Sequence, residues 1–206
     1  MKCQACGTDN SEKAQFCGNC GSSTSGSAAK RTHSMVDRII RVCRLDVHIF
    51  EEVEADTSAT RQALSVVALV ALATGIASLG TIGLSGLFVG VVVAIGGWAI
   101  WAWIVYLIGT KILPSHTTHA DWGQLARTVG FAQSPGIFRV LGLVPVVGIF
   151  IFSAASIWML VAMVVAVRQA LDYTSTWRAT GVVLIGVIPY VLLMSIAFAL
   201  LELNGE

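Results

Sequence analysis

The stretch VGFAQSPGIFRVLGLVPVVGIFIFSAASIWMLVAMVVAV, residues 129–167, decides the fold. As one straight α-helix its 39 residues would extend about 58 Å, nearly twice the roughly 30 Å of a bilayer's hydrocarbon core. Pro145 and Gly148 offer a break near the middle, because proline disrupts a helix and glycine tolerates a turn. We therefore expect two crossings here, over residues 129–144 and 148–167.

Three shorter apolar runs flank this region, each long enough for about one crossing. Of the 206 residues, 55% are hydrophobic and only 12% are charged, and the mean hydropathy is +0.77, which lies outside the range of soluble domains. Further apolar runs cover residues 63–79, 84–108 and 179–201, each close to the ~20 residues that a crossing needs. The sequence predicts an all-α membrane protein with five transmembrane helices, in a membrane domain over residues 57–206.

The basic residues set the predicted orientation. Eight of the 13 Lys and Arg residues precede residue 62, and cytoplasmic segments carry an excess of such residues. Two crossings within 129–167 also return Arg168 and Arg178 to the side of Lys111 and Arg127. We expect an integral membrane protein with its N-terminus in the cytoplasm and its C-terminus outside.

Residues 34–56 show a helical period with charged residues on one side. The pattern predicts an amphipathic cytoplasmic helix that is too charged to span a bilayer. Two alternatives fit this pattern equally. Either Arg38, Arg41 and Arg44 face lipid headgroups, or the apolar face, which includes Phe50, packs on the chain's own membrane helices.

Four of the five cysteines form two pairs, Cys3-x-x-Cys6 and Cys17-x-x-Cys20. Two such turns aim four thiolates at one point, as tetrahedral zinc requires, and leave no position for a substrate. Residues 1–21 are too few for a hydrophobic core, so the metal must supply folding energy. We predict a zinc ribbon with one structural ion, followed by a flexible linker over residues 22–33. An iron site of rubredoxin type and a redox disulfide pair are the alternatives.

Three further arginines lie in or beside the predicted spans. Arg139 is the one charged residue within them, which marks either a functional site at membrane depth or a long side chain that reaches the headgroups or a neighbouring carbonyl. Arg61 and Arg178 stand at the starts of spans, in TSATR (57–61) and TSTWR (174–178). We expect both to anchor those starts among lipid phosphates.

Three stretches together form a recognisable pattern: FEEVEADTSATRQALSVVALVALATGI (50–76), WGQLARTVGFAQSP (122–135) and RQALDYTSTWRATGVVLIG (168–186). They resemble the Yip family, the Ypt-interacting-protein type of small five-span membrane proteins. The resemblance covers about residues 45–200 and implies five spans and pairing between family members, which in eukaryotes are associated with small Rab-type GTPases and vesicle traffic. The Asp-Leu-Tyr-Gly-Pro motif of eukaryotic members is absent. The zinc ribbon resembles those at the head of many prokaryotic membrane proteins, which implies a prokaryotic cell membrane.

The predicted spans contain no Asp, Glu or His, and the chain lacks nucleophile and P-loop motifs. We therefore expect no enzyme, but a membrane adaptor or scaffold whose zinc ribbon contacts a protein on the cytoplasmic side. Expected partners are the lipid bilayer, a cytoplasmic or membrane protein, and copies or relatives of the chain in an oligomer. Balanced charges in the ribbon argue against nucleic acid. The alternatives are a metal or redox sensor and a small channel or transporter whose path is lined by Arg139, Ser153, Ser156 and Tyr190.

Overall fold

The computed structural model describes residues 2–3, 6–11, 14, 17–20, 33–116, 118, 120–144 and 147–203. The predicted linker over 22–33, apart from His33, and the last three residues lie outside this part of the chain. Two compact units are present, Met1–Ser34 and Met35–Glu206. Within the described residues the smaller unit has one isolated β-bridge, between Lys2 and Asp9, and the larger unit is helical.

The larger unit contains seven α-helices in its described part. They are α1 Met35–Cys43, α2 Val47–Ala55, α3 Ala59–Ala77, α4 Leu79–Leu107, α5 Trp122–Ala132, α6 Val147–Ala170 and α7 Thr176–Leu203. A π-helical turn, Ile108–Ile112, extends α4, and a 3₁₀ helix, Ser134–Leu143, follows α5. Near its start α4 kinks at Gly83, whose φ of 65° is a left-handed conformation that favours glycine.

Four helices are long and apolar enough to cross a membrane. They are Ala59–Ala77, Gly83–Ile112, Val147–Ala170 and Thr176–Ile196. The predicted all-α architecture with membrane-spanning helices is therefore confirmed for the described residues, whereas a fifth helical span is not.

Residues 129–144, expected as the third span, form the last turn of α5 and then the 3₁₀ helix. Pro135 stands in the first turn of that 3₁₀ helix. Proline has no N–H to donate and its ring obstructs the carbonyl of the preceding turn, which disfavours a continued α-helix at this position.

The segment from the end of α5 through the 3₁₀ helix packs along α3. The close approaches are Gly130 to Ala63, Gly136 to Val70 and Gly142 to Ala77, where an added Cβ would lie 2.9, 2.6 and 3.4 Å from the nearest side-chain carbon. From Gly136 to Gly142 six residues of 3₁₀ helix rise about 12 Å, and from Val70 to Ala77 seven residues of α-helix rise about 10.5 Å. The two segments therefore advance by nearly the same distance between successive contacts. The segment follows α3 in the same direction, from its first turn to its last residue.

In place of the single helix expected over residues 34–56, the structure has α1 and α2. Leu45, with φ of 57°, turns the chain between them, and the Asp46 carboxylate caps α2 by accepting from the N–H of His48 at 3.1 Å. Phe50 and Val53 of α2 are fully buried in the main core, and α2 contacts α5 and α6. Of the two alternatives for the apolar face, packing on the chain's own helices is observed for α2.

Several loops and helix ends meet at one end of the larger unit, here called the polar end. It comprises α1, α2 and the described residues 113–116, 118, 120–121 and 171–175. The Tyr173 hydroxyl donates to the Leu113 carbonyl at 2.6 Å and lies 3.0 Å from that of Gly109. The Gln169 amide donates to the Glu51 carboxylate at 3.1 Å. The C-terminal ends of α4 and α6 therefore lie together, close to α2.

Candidate metal centre and arginine sites

The four predicted metal ligands come together in the smaller unit. The Sγ atoms of Cys3, Cys6, Cys17 and Cys20 all lie within 4.8 Å of one another. Cys3 and Cys20 are 3.7 Å apart and Cys6 and Cys17 are 3.6 Å apart, measured between sulfurs. Ligands 2.3 Å from a tetrahedral zinc ion are about 3.8 Å apart. The residues therefore fit a single tetrahedral ion that prefers thiolates.

Polar neighbours support the thiolate form of this cluster. The Asn10 amide donates to the Cys17 sulfur at 3.4 Å, and its oxygen accepts from the Gly18 N–H at 2.9 Å. The pKa of Cys17 falls from 9.0 to about 6, chiefly because of the backbone N–H groups of Cys20 and Asn19, with the Asn10 amide contributing less. Sequence reasoning missed Asn10, although a short amide side chain between two cysteine pairs is a signal for such outer-sphere support.

Local backbone geometry explains the first cysteine pair. Gly7 has φ of 74°, and its N–H donates to the Cys3 carbonyl at 2.8 Å, which closes a tight turn after Cys6. Cys3 and Cys17 are buried, whereas Cys6 and Cys20 are exposed. A tetrahedral ion bound by all four thiolates would have a filled coordination sphere, with no open position for catalysis.

Arg38 is fully buried and links three elements of the polar end. Its Nη2 donates to Asp56 at 2.6 Å and to Glu52 at 2.9 Å, while Nη1 donates to the Gln62 side chain at 2.9 Å. The Ser58 hydroxyl and then Arg38 lower the pKa of Asp56 below its usual value. Arg38 therefore acts as an internal tie between α1, α2 and α3, whereas the sequence placed it on the polar side of the amphipathic helix.

The other residues predicted on the amphipathic segment divide between interior and surface. Arg41 pairs with Asp46 at 2.7 Å, which lowers the pKa of that carboxyl, and Phe50 lies in the core. Arg44 remains exposed. On the same segment Val36 and Ile40 have exposed fractions of 60% and 44%. The surface available to a membrane or a partner here therefore includes Val36, Ile40 and Arg44.

Arg127 caps the end of α2, a role that the sequence did not suggest. Its guanidinium donates to the Val53 and Glu54 carbonyls at 3.2 and 2.6 Å, which satisfies carbonyls left unpaired where a helix ends. Nearby, burial and then the charge of Asp172 raise the pKa of the Glu54 carboxyl from 4.5 to about 7, although Arg127 acts in the opposite direction. The pKa of the Glu54 carboxyl at the polar end is therefore close to neutral pH.

Arg61 and Arg178 are both exposed near the starts of membrane-capable helices. The Arg178 guanidinium donates to the Pro114 carbonyl at 3.2 Å. Beside it Trp177 is 85% exposed, and exposed tryptophans at span ends are typical of membrane interfaces. The TSTWR stretch contains this tryptophan, but the sequence-based prediction named only Arg178 as the membrane anchor.

Arg139 lies in the 3₁₀ helix beside α6. Its Nη2 donates to the Ser156 hydroxyl at 2.8 Å, and its guanidinium carbon lies 4.6 Å from the centre of the Phe152 ring. Arg139, Ser156 and Tyr190, three of the four residues expected to line a path, border one cavity of about 550 Å³. Ser153, the fourth, bonds to the Ile149 carbonyl on its own helix and lies outside that lining.

Comparison with protein families gives a match to the Yip1 domain over residues 47–197. The match begins at the first residue of α2 and ends within α7. It therefore includes all four membrane-capable helices and leaves out the four-cysteine unit. No curated protein and no solved structure matches the chain.

Proposed function

The chain belongs to the Yip1-domain family, because the match covers residues 47–197 of its 206, and we propose that it is a non-enzymatic membrane adaptor acting in membrane organisation or trafficking. In this proposal the membrane domain fixes the protein in the bilayer. The four-cysteine unit, holding one structural zinc ion, is the contact module for a protein partner. A second, separate contact surface in the larger unit includes Val36, Ile40 and Arg44.

The observation that carries this proposal is the closed set of four thiols in a unit of its own. Its sulfurs lie within 4.8 Å of one another, so a bound ion would have no free coordination position and would serve only to hold the module's shape. A small metal-held module attached to a membrane domain has the properties of a recognition element. The absence of Asp, Glu and His from the four membrane-capable segments supports a non-catalytic role.

We further propose five membrane crossings, with the polar end in the cytoplasm and the C-terminus outside. The supporting observation is the parallel course of residues 130–142 along α3, which would carry the chain across without a fifth long α-helix. Eight of the 13 basic residues precede residue 62, in agreement with the expected cytoplasmic side. Cysteine labelling tests this topology, since Thr118→Cys and Glu206→Cys should react from opposite sides of the membrane. Reaction from the same side would indicate four crossings.

Crosslinking mass spectrometry in native membranes tests the adaptor role. The full-length chain is compared with Cys17→Ser, which removes a metal ligand, and with Cys43→Ser, which removes the one cysteine outside the cluster. We expect Cys17→Ser to lose protein partners that the wild type and Cys43→Ser retain. Identical partner sets for all three proteins would remove the cysteine unit from the mechanism.

A path for a small solute is the second candidate, and the cavity that joins Arg139, Ser156 and Tyr190 favours it. Liposomes containing the full-length protein distinguish this candidate. Solute flux that falls with Arg139→Leu, while the protein remains folded, would support a transporter. No flux through the wild-type protein would reject it.

A further inference from the structure

Arg139 places a cation beside the middle of a membrane-capable helix. Its hydrogen-bond partner Ser156 and its ring contact Phe152 both belong to α6, well inside the Val147–Ala170 segment. The Nε atom is buried and, within the described residues, makes no hydrogen bond. Arginine carries five N–H donors, so the guanidinium retains capacity for another acceptor.

Within the part of the chain that the structure describes, no carboxylate pairs with this cation. No Asp or Glu occurs in residues 57–120, 122–171 or 173–201. Both contacts of the guanidinium in the described structure, a serine hydroxyl and a phenyl ring, are uncharged. A charge at membrane depth normally pairs with a group of opposite charge or reaches water. Arg139 therefore has no negative partner among the described residues.

The cavity beside Arg139, here called the Arg139 cavity, has the lining of an amphiphile site. It measures about 550 Å³, within the ~300–1,000 Å³ of small-molecule sites. Trp98, Trp101 and Met159 contribute apolar walls, whereas Gln133 and Tyr190 add an amide and a hydroxyl. No hydrogen bond to either of these polar side chains is found in the described part of the chain. A second cavity of about 290 Å³ shares Gln133 and Arg139 with the first.

We propose that the Arg139 cavity binds an anionic amphiphile, with one phosphate or carboxylate group on Arg139 and an acyl chain along Trp98 and Trp101. A planar guanidinium recognises either anion through paired hydrogen bonds. The apolar walls favour a chain that comes from the surrounding lipid over a water-soluble ion. This site goes beyond the adaptor function and does not depend on it.

Tryptophan quenching by brominated lipid tests the proposal, because Trp98 and Trp101 line the cavity. The full-length protein in phosphatidylcholine nanodiscs is titrated with phosphatidylglycerol or fatty acid carrying bromine on its acyl chain. We expect saturable quenching, and a loss of about tenfold in affinity for Arg139→Gln, since a charged hydrogen-bonded pair is removed. Brominated phosphatidylcholine should give no saturable component.

Two matched variants separate the site from general electrostatics and from misfolding. Lys111→Gln removes an exposed charge and should leave the affinity unchanged. Ala94→Leu fills the space that both cavities share and leaves the guanidinium in place, so it should weaken binding as Arg139→Gln does. Equal loss in Lys111→Gln, or full binding in Ala94→Leu and Arg139→Gln, would overturn the proposal. Displacement of the lipid by inorganic phosphate alone would also overturn it, because the site would then select the ion and not the amphiphile.

Discussion

Replacing Arg38 with methionine should release α1 from the rest of the larger unit. The substitution keeps an unbranched apolar stem but leaves Glu52 and Asp56 without the guanidinium that both contact. Removing one partner of a buried ion pair costs about 3–5 kcal/mol. The carboxylate side chains here retain 13% and 14% exposure, so water partly replaces the lost partner. We therefore expect a cost of about 3 kcal/mol, at the lower end of this range.

Hydrogen exchange followed by mass spectrometry measures this cost locally. Opening of α1 that becomes about 3 kcal/mol easier should speed exchange of its amides by about 100-fold, since 1.4 kcal/mol corresponds to tenfold. Arg44→Met is the matched control, because it removes the same charge from an exposed position in the turn that follows α1. Amides in α6 should be unaffected in both variants.

Two results would refute this reasoning. Exchange in α1 within threefold of the wild type would mean that water or another residue satisfies the two carboxylates at little cost. Equal acceleration in Arg38→Met and Arg44→Met would mean that the effect comes from net charge and not from the buried contacts.

Three further outcomes follow from the same structure. The purified protein should contain about one zinc ion per chain by elemental analysis, with the metal lost in Cys17→Ser and kept in Cys43→Ser. Burial raises the pKa of Glu54 from 4.5 to about 7, so the folded protein holds this proton more tightly than the unfolded chain does. The free energy of unfolding should therefore fall as the pH rises from 4.5 to about 7. Glu54→Gln should flatten that part of the pH profile of unfolding. Gly136→Ala would place a Cβ 2.6 Å from Val70 and should cost about 1–3 kcal/mol in detergent unfolding. Gly181→Ala, where the added Cβ meets nothing within 4 Å, should cost nothing.

Patterns that act over a few residues were sufficient to predict much of this protein. Hydropathy identified the four membrane-capable helices, because each crossing requires a continuous apolar run. The spacing of the cysteine pairs predicted that their four sulfurs meet, since each pair is placed by its own tight turn. The course of residues 129–144 was harder to predict. Apolar composition alone does not distinguish an α-helix from the 3₁₀ helix that follows Gln133, where Pro135 and close packing on α3 determine the backbone.

Side chains whose environment depends on distant parts of the chain could not be placed from the local pattern. A helical projection assigns every arginine to the polar side, yet Arg38 is buried because Glu52 and Asp56, 14 and 18 residues later, come to meet it. Arg139 is the opposite case, since carboxylates are missing from every membrane-capable segment and, among the described residues, none contacts it. The sequence thus indicates which arginine has no carboxylate close to it within the spans. Only the packing of α4, α6, α7 and the 3₁₀ helix reveals that a cavity lies beside it. An arginine without an internal counter-ion is therefore more informative about ligands than one within a charged segment, because its missing partner cannot be supplied by the fold.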